Sequence, residues 1–239
     1  QTALLYKRAH EEGYRVNKVA FPRYDTPMGQ EIKAYLDGAY GTLKQVDPKF
    51  PSLLNMIDRA QAQPWIQKTL RRTDLLISDR YSSANFAHQG AKLFGQEREK
   101  ILEWLYRCEH VRPFSNLYPD MILYLDLPPE VSQRAMEKEG RKKDIHEQDV
   151  AYQEAVRETF HELAAKDQQR WQIINCMKDE ETRFSVEELS RVIWNAIAPK
   201  LTKNPLQIYY AAPIAGATSD KDDIKRVGAV VQKYGNILT

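Results

Sequence analysis

The sequence predicts an α/β protein: a parallel sheet with helices on both faces. Three observations point there. Short apolar runs rich in β-branched residues recur along the chain, and amphipathic stretches of helical period separate them. The strongest run, Met121-Ile122-Leu123-Tyr124-Leu125-Asp126-Leu127, is halted by Pro128-Pro129. Charged and polar motifs follow the predicted strands, on the carboxyl side where such sheets bind ligands.

In chain order, a helix is predicted over 2–13, with Ala3, Leu4, Leu5, Tyr6 and Ala9 on one face and Gly13 as its stop. A strand over 16–21 is closed by Pro22. A helix over 28–36 ends at Gly38, and a long one covers 51–72. The short apolar run 75–78 leads into Asp79-Arg80-Tyr81, with helices over 83–93 and 97–110. After the 121–127 strand, helices over 130–137 and 149–166 flank a charged stretch. A strand over 171–176 and an amphipathic helix over 186–198 complete a first domain, 1–202. Lys203-Asn204-Pro205 reads as a linker. Beyond it, a strand over 206–211, a small-residue loop, a helix over 222–234 and a strand over 236–238 are expected to form a truncated second α/β domain. The chain opens on a helix rather than on Met and closes on the β-type stretch Ile237-Leu238-Thr239, so it reads as part of a longer polypeptide.

Composition narrows the class. Of 239 residues, 35 are Lys or Arg and 33 Asp or Glu, a net charge of +2, and 42% are hydrophobic, enough for a substantial core. A disordered chain is excluded. No run of about 18 apolar residues offers a membrane span, and no basic excess marks a dedicated nucleic-acid binder. Cys108 and Cys176 lie far apart without metal-type partners. They therefore read as reduced thiols, and the expected location is cytoplasmic.

Four places carry potential chemistry. Arg23, in Phe21-Pro22-Arg23-Tyr24, stands at a strand end, where a permanently charged fork suits a phosphate but is also an ordinary solvated turn. Asp58-Arg59 lies in the apolar run Leu53, Leu54, Met56, Ile57; if buried, the pair needs a partner or a ligand. Asp79-Arg80 after Leu75-Leu76-Ile77-Ser78 is a poor structural choice at the end of a buried strand, and a good one for Mg²⁺ and phosphate positioning. Arg134, Lys138, Arg141, Lys142 and Lys143, followed by Asp144-Ile145-His146-Glu147, suit a segment that closes over transferring phosphates, or a solvated face. His146, without a defined partner, reads as a hydrogen-bonding or surface residue rather than a general acid or base.

In this order and spacing these residues resemble the thymidylate kinase family over about residues 1–200. Further carriers are Tyr35-Leu36-Asp37-Gly38, Asn85, His88-Gln89-Gly90, Pro119-Asp120 and Trp171. The resemblance implies a P-loop nucleoside monophosphate kinase fold, with ATP and Mg²⁺ as cofactors, that phosphorylates dTMP to dTDP. It implies that Arg23 and Arg80 hold the monophosphate, that Tyr24, His88 and Gln89 line its site, and that Arg59 and Asn85 meet the base edge. Asp79 organises Mg²⁺ indirectly, Arg141 and Arg134 act from the lid near ATP, and Asp144 and Glu147 close that lid. Small nucleotides are the expected partners, with a homodimer through the 51–72 helix. Asn55 stands where many relatives place an aromatic ring, and His88 where a tyrosine is common, so base and sugar preference are where this chain departs.

No GxxxxGK[S/T] segment occurs in the sequence. The resemblance places that loop just before the helix near Gln1, so the chain is expected to be truncated past it and inactive alone. The tail, Tyr209-Tyr210-Ala211-Ala212-Pro213-Ile214-Ala215-Gly216 with Tyr234-Gly235-Asn236, resembles the opening of the nucleoside 2-deoxyribosyltransferase family, implying a bifunctional parent. The alternatives are deoxyribosyl transfer or N-glycosidic hydrolysis by that tail's domain, and a non-catalytic nucleotide-binding module.

Overall fold

The computed structural model describes residues 1–139, 143–201 and 206–211. The helices are α1 (Thr2–Glu11), α2 (Pro27–Leu36), α3 (Lys49–Leu70), α4 (Ser82–Gly90), α5 (Gly95–Tyr106), α6 (Pro129–Glu139), α7 (Val150–Lys166) and α8 (Val186–Ile197). The strands are β1 (Val16–Ala20), β2 (Leu75–Asp79), β3 (Met121–Asp126), β4 (Trp171–Asn175) and β5 (Leu206–Ala211). All pair in parallel in one sheet of order β1-β2-β5-β3-β4.

Strand alternation sends side chains to two cores. Leu75, Ile77, Met121, Leu123 and Leu125 face α1 and α8, meeting Leu5, Ala9, Ile193 and Ile197. On the other face Ile122 and Tyr124 pack on α4 and α7 through Ala87, Val156 and Phe160, while Leu76 packs on Ala62 and Ile66 of α3. Both faces being covered explains why MILYLD is apolar with almost no alternation. In α1 the buried positions are Leu5 and Ala9 alone; Ala3, expected on that face, is exposed.

Two departures from the sequence reading matter. The helix expected to run through residue 110 ends at Tyr106, and a π-helical turn, Arg107–Val111, follows. Its wider winding accompanies full burial of Glu109, which reaches Arg59 on α3. The strand expected at Leu206–Ala211 forms and pairs on both sides, with β2 and β3, at the centre of the sheet. The linker expected at 203–205 and the loop, helix and strand expected within 212–239 lie outside the described residues.

The loop between β1 and α2 is held tightly. Thr26 caps α2, its Oγ1 accepting from Gly29 N at 3.1 Å and donating to Arg23 O at 2.8 Å, and Pro27 occupies the first turn. Gly29 approaches the loop so closely that a Cβ there would sit 1.8 Å from Arg23 O. Gly29→Ala should therefore displace the Arg23–Tyr24 backbone and destabilise the chain by about 1–3 kcal/mol. Urea unfolding checks this, and an unchanged midpoint would contradict it.

Candidate functional site

A cleft opens at the carboxyl rim of β1 and β2. Its walls are Phe21, Pro22 and Tyr24 after β1, Tyr35 on α2, Asn55 and Arg59 on α3, and Arg80 and Tyr81 after β2. Asn85, His88 and Gln89 complete it from α4, and His146 from the segment before α7. Asn85, His88 and Gln89 are spaced i, i+3, i+4, so one helical face presents all three.

Arg80 holds a left-handed backbone, φ 60°, which a non-glycine residue adopts at a cost of about 1–2 kcal/mol. Ser78 Oγ, donating to Arg80 O at 2.6 Å, holds the conformation. Asp79, partly exposed beside it, accepts from Phe21 N at 2.9 Å through its backbone carbonyl.

Arg59 is buried with a fixed partner. Its Nε and Nη2 donate to Glu109 Oε1 and Oε2 at 2.7 and 2.6 Å. Burial pulls the guanidinium toward neutrality, but Glu109 outweighs it and the Arg59 pKa is raised. Asn116 Nδ2 adds a 2.8 Å bond to Glu109 Oε1.

Arg23, which the resemblance implies for the phosphate, is engaged by Asp58. Its Nε donates to Asp58 Oδ1 at 2.8 Å, its N to Asp58 Oδ2 at 2.9 Å and its Nη2 to Asp58 O at 2.7 Å. Buried at 7% exposure, it pins the β1–α2 loop to α3 and is not among the cleft's lining residues. The Asp58-Arg59 dipeptide thus serves two separate ion pairs, Asp58 with Arg23 and Arg59 with Glu109.

Asp144 and Glu147, which the resemblance implies for a lid, bond to each other's segment. Asp144 Oδ1 accepts from the backbone of His146 and Glu147 at 2.8 and 2.9 Å, and Glu147 Oε2 accepts from Asp144 N at 3.1 Å. Burial, with Glu147 nearby, raises the Asp144 carboxyl pKa. His146, not the two carboxylates, is what this segment contributes to the cleft wall. Arg134 is exposed on α6, and Arg141 lies outside the described residues. Asp126, at the end of β3, is bound by Arg157 at 2.7 and 3.1 Å and by His161, which tie α7 to the rim.

Two buried oxygens in the cleft, Asn85 Oδ1 and Gln89 Oε1, have no hydrogen-bond partner among the described residues. Buried carbonyl oxygens are rarely left unsatisfied.

Sequence reasoning missed Glu109, Lys92 and Tyr152, and named Tyr35 as a carrier of the resemblance without a role in the site. Only for Glu109 was there a signal: a buried arginine at 59 requires a carboxylate somewhere.

A doubly wound parallel sheet with an arginine-bearing cleft on its carboxyl rim defines the α/β fold of P-loop nucleoside monophosphate kinases. A family model described as "Thymidylate kinase" matches residues 1–185. The thymidylate kinase of Thermomicrobium roseum is 29% identical over 178 residues, 73% of this chain and 79% of that one. That of Mycobacterium tuberculosis (strain H37Rv) is 32% identical over 160 residues, 64% of this chain and 74% of that one. The solved thymidylate kinase of Candida albicans shares the fold at TM-score 0.59 and 19% identity, over 83% of this chain and 86% of that one. The chain belongs to the thymidylate kinase family.

Proposed function

We propose that the chain binds dTMP as phosphoryl acceptor in the ATP-dependent formation of dTDP. The observation that carries this is the polar pattern of the cleft's inner end. The carbonyls Asn85 Oδ1 and Gln89 Oε1 lack donors, and the Arg59 guanidinium, held by Glu109, lines the same cleft. A thymine or uracil edge supplies a donor, N3–H, beside an acceptor, O4. Cytosine reverses that order, with an acceptor at N3 and donors at N4, so a pose that sets N3 against an amide carbonyl and position 4 against Arg59 becomes mismatched at both places, at about 1–3 kcal/mol each.

Arg80 takes the 5′-phosphate, with Tyr24 beside it. The attacking phosphate oxygen is already anionic, so the site needs positioning and charge neutralisation rather than a strong base. This matches a rim where Arg80 is pre-set by its own backbone. Arg23 supports the pocket from outside by fixing the loop that carries Tyr24.

The family implies MgATP as donor. Among the described residues no group of three or more His, Cys, Asp or Glu forms a metal cage. Asp79, partly exposed at the end of β2, suits Mg²⁺ as a single carboxylate, since the ion usually keeps waters and phosphates as most of its ligands. The sequence holds no GxxxxGK[S/T] segment, so the residues present fit the acceptor side of the transfer and not a phosphate loop for ATP. Accordingly, the 239-residue chain should bind dTMP yet turn it over poorly. A homodimer through α3 belongs to this reading, and the exposure of Phe50 and Leu53 there supports it. No helix among the described residues is long and apolar enough to cross a membrane.

A thermal-shift series with dTMP, dUMP, dCMP and AMP tests the reading, because a ligand binding only the folded state raises its apparent stability. At about 100 Kd of dTMP the gain is about 2.7 kcal/mol. dTMP and dUMP should stabilise and dCMP and AMP should not; equal shifts from AMP or dCMP would refute it.

A further inference from the structure

A second cavity, of about 130 Å³, is walled by α4, α5, the end of α7 and the first residues of β3 and β4. It shares no lining residue with the rim cleft. At about 100° per residue, Ser82, Ser83 and Phe86 leave α4 on one side and Asn85, His88 and Gln89 on another. One helix therefore separates the two spaces. Burial orders the lining: Ile122, Phe86 and Trp171 are buried and form the floor, whereas Tyr106 and Lys166 are exposed and mark the mouth. Leu102 and Leu163 add aliphatic walls. A cavity of about 150 Å³ with apolar walls stays dry and holds a benzene ring. The space here fits one six-membered aromatic ring, with Phe86, Tyr118 and Trp171 to meet it in offset or edge-on contact.

The mouth is charged. Lys166 and Asp167, adjacent at the end of α7, both line it. Lys166 makes no ion pair among the described residues. Asp167 Oδ2 accepts from the Tyr118 hydroxyl at 3.4 Å and from Arg170 Nη1 at 3.2 Å, while Oδ1 accepts from Arg170 Nη1 alone, at 3.4 Å. A carboxylate oxygen has two acceptor sites, so Oδ1 keeps one open. A free ammonium beside a carboxylate with spare capacity complements a ligand head that carries both charges. We propose that this cavity binds a free aromatic α-amino acid of the phenylalanine type, with its ring inside, its carboxylate on Lys166 and its ammonium on Asp167. The site is separate from the nucleotide reading and does not depend on it.

NMR titration of the 239-residue chain with L-phenylalanine, 3-phenylpropionate and phenethylamine, followed on the ligand signals, tests it. The acid lacks the ammonium and the amine lacks the carboxylate. Each should bind about three- to fivefold more weakly than phenylalanine, the effect of one ion pair in a solvent-facing mouth. Lys166→Gln, a surface change, should weaken phenylalanine by the same factor and leave phenethylamine within about twofold of its wild-type affinity. Leu163→Phe, which fills the cavity, should abolish binding of all three. If phenylalanine does not bind, or the three bind within about twofold of one another, the proposal fails. It fails equally if dTMP displaces phenylalanine, because the ring would then sit in the rim cleft. Should Leu163→Phe not fold, Lys166→Gln decides: unchanged phenylalanine affinity there overturns the assignment.

Discussion

Glu109→Ala should lower the stability of the chain by about 3–5 kcal/mol, because it leaves a guanidinium buried and unpaired. Arg59 is 1% exposed and Glu109 fully buried, and two bonds of 2.7 and 2.6 Å join them. Asn116 would lose the acceptor of its 2.8 Å bond as well. In a chain of this size each kcal/mol moves Tm by about 2–4 °C, so the loss should be about 10 °C. The double variant Arg59→Met/Glu109→Leu should recover most of it, since replacing both charges by apolar groups of similar volume is often neutral. Calorimetry of the single and double variants checks both statements. A single variant that melts within about 2 °C of wild type would show that the pair does not hold α3 to the π-helical turn.

Arg80→Gly should weaken dTMP binding by about 10- to 100-fold while leaving the fold intact. In the proposed site its guanidinium meets the 5′-phosphate, and a charge-assisted hydrogen bond is worth about 1.5–3 kcal/mol. Glycine is the informative replacement. At φ 60° an alanine would carry backbone strain, whereas glycine adopts that region freely. The change therefore removes the charge without removing the conformation. Titration with dTMP, alongside Tm of the unliganded variant, separates the two effects. Unchanged affinity would move the phosphate to another group.

Local pattern was enough to mark the elements that frame the site. The strand before Asp79-Arg80 and the run MILYLD both formed within a residue or so of their expected bounds, because apolar runs bounded by turn residues have few other uses. The convergence of Arg59, Arg80, Asn85 and His88 on one cleft was legible from the family resemblance. What local sequence could not show is how the charges pair. Arg59 meets a partner 50 residues away, Arg23 one 35 away and Tyr35 one 111 away. Such pairings depend on tertiary placement, and nothing in a window around Arg23 distinguishes a phosphate ligand from a clamp on Asp58. His146 shows the same limit from the other side. Alone in sequence it read as a hydrogen-bonding or surface residue; the fold gives it the Tyr35 hydroxyl at 2.9 Å and brings it against His88 and Tyr152. The LQIYYA run announced a strand; that it fills the gap between β2 and β3 is a property of two open sheet edges far away in the chain.

The claim beneath these expectations is that the amide and guanidinium groups at the inner end of the cleft read the imide edge of a pyrimidine. Titration of the 239-residue chain with dTMP and, in parallel, with dCMP puts the question most directly, since the two share sugar and phosphate. Binding of dTMP at least about tenfold tighter is the expected result, the minimum for one buried donor or acceptor left unpaired against cytosine. Equal affinity for the two nucleotides would contradict it.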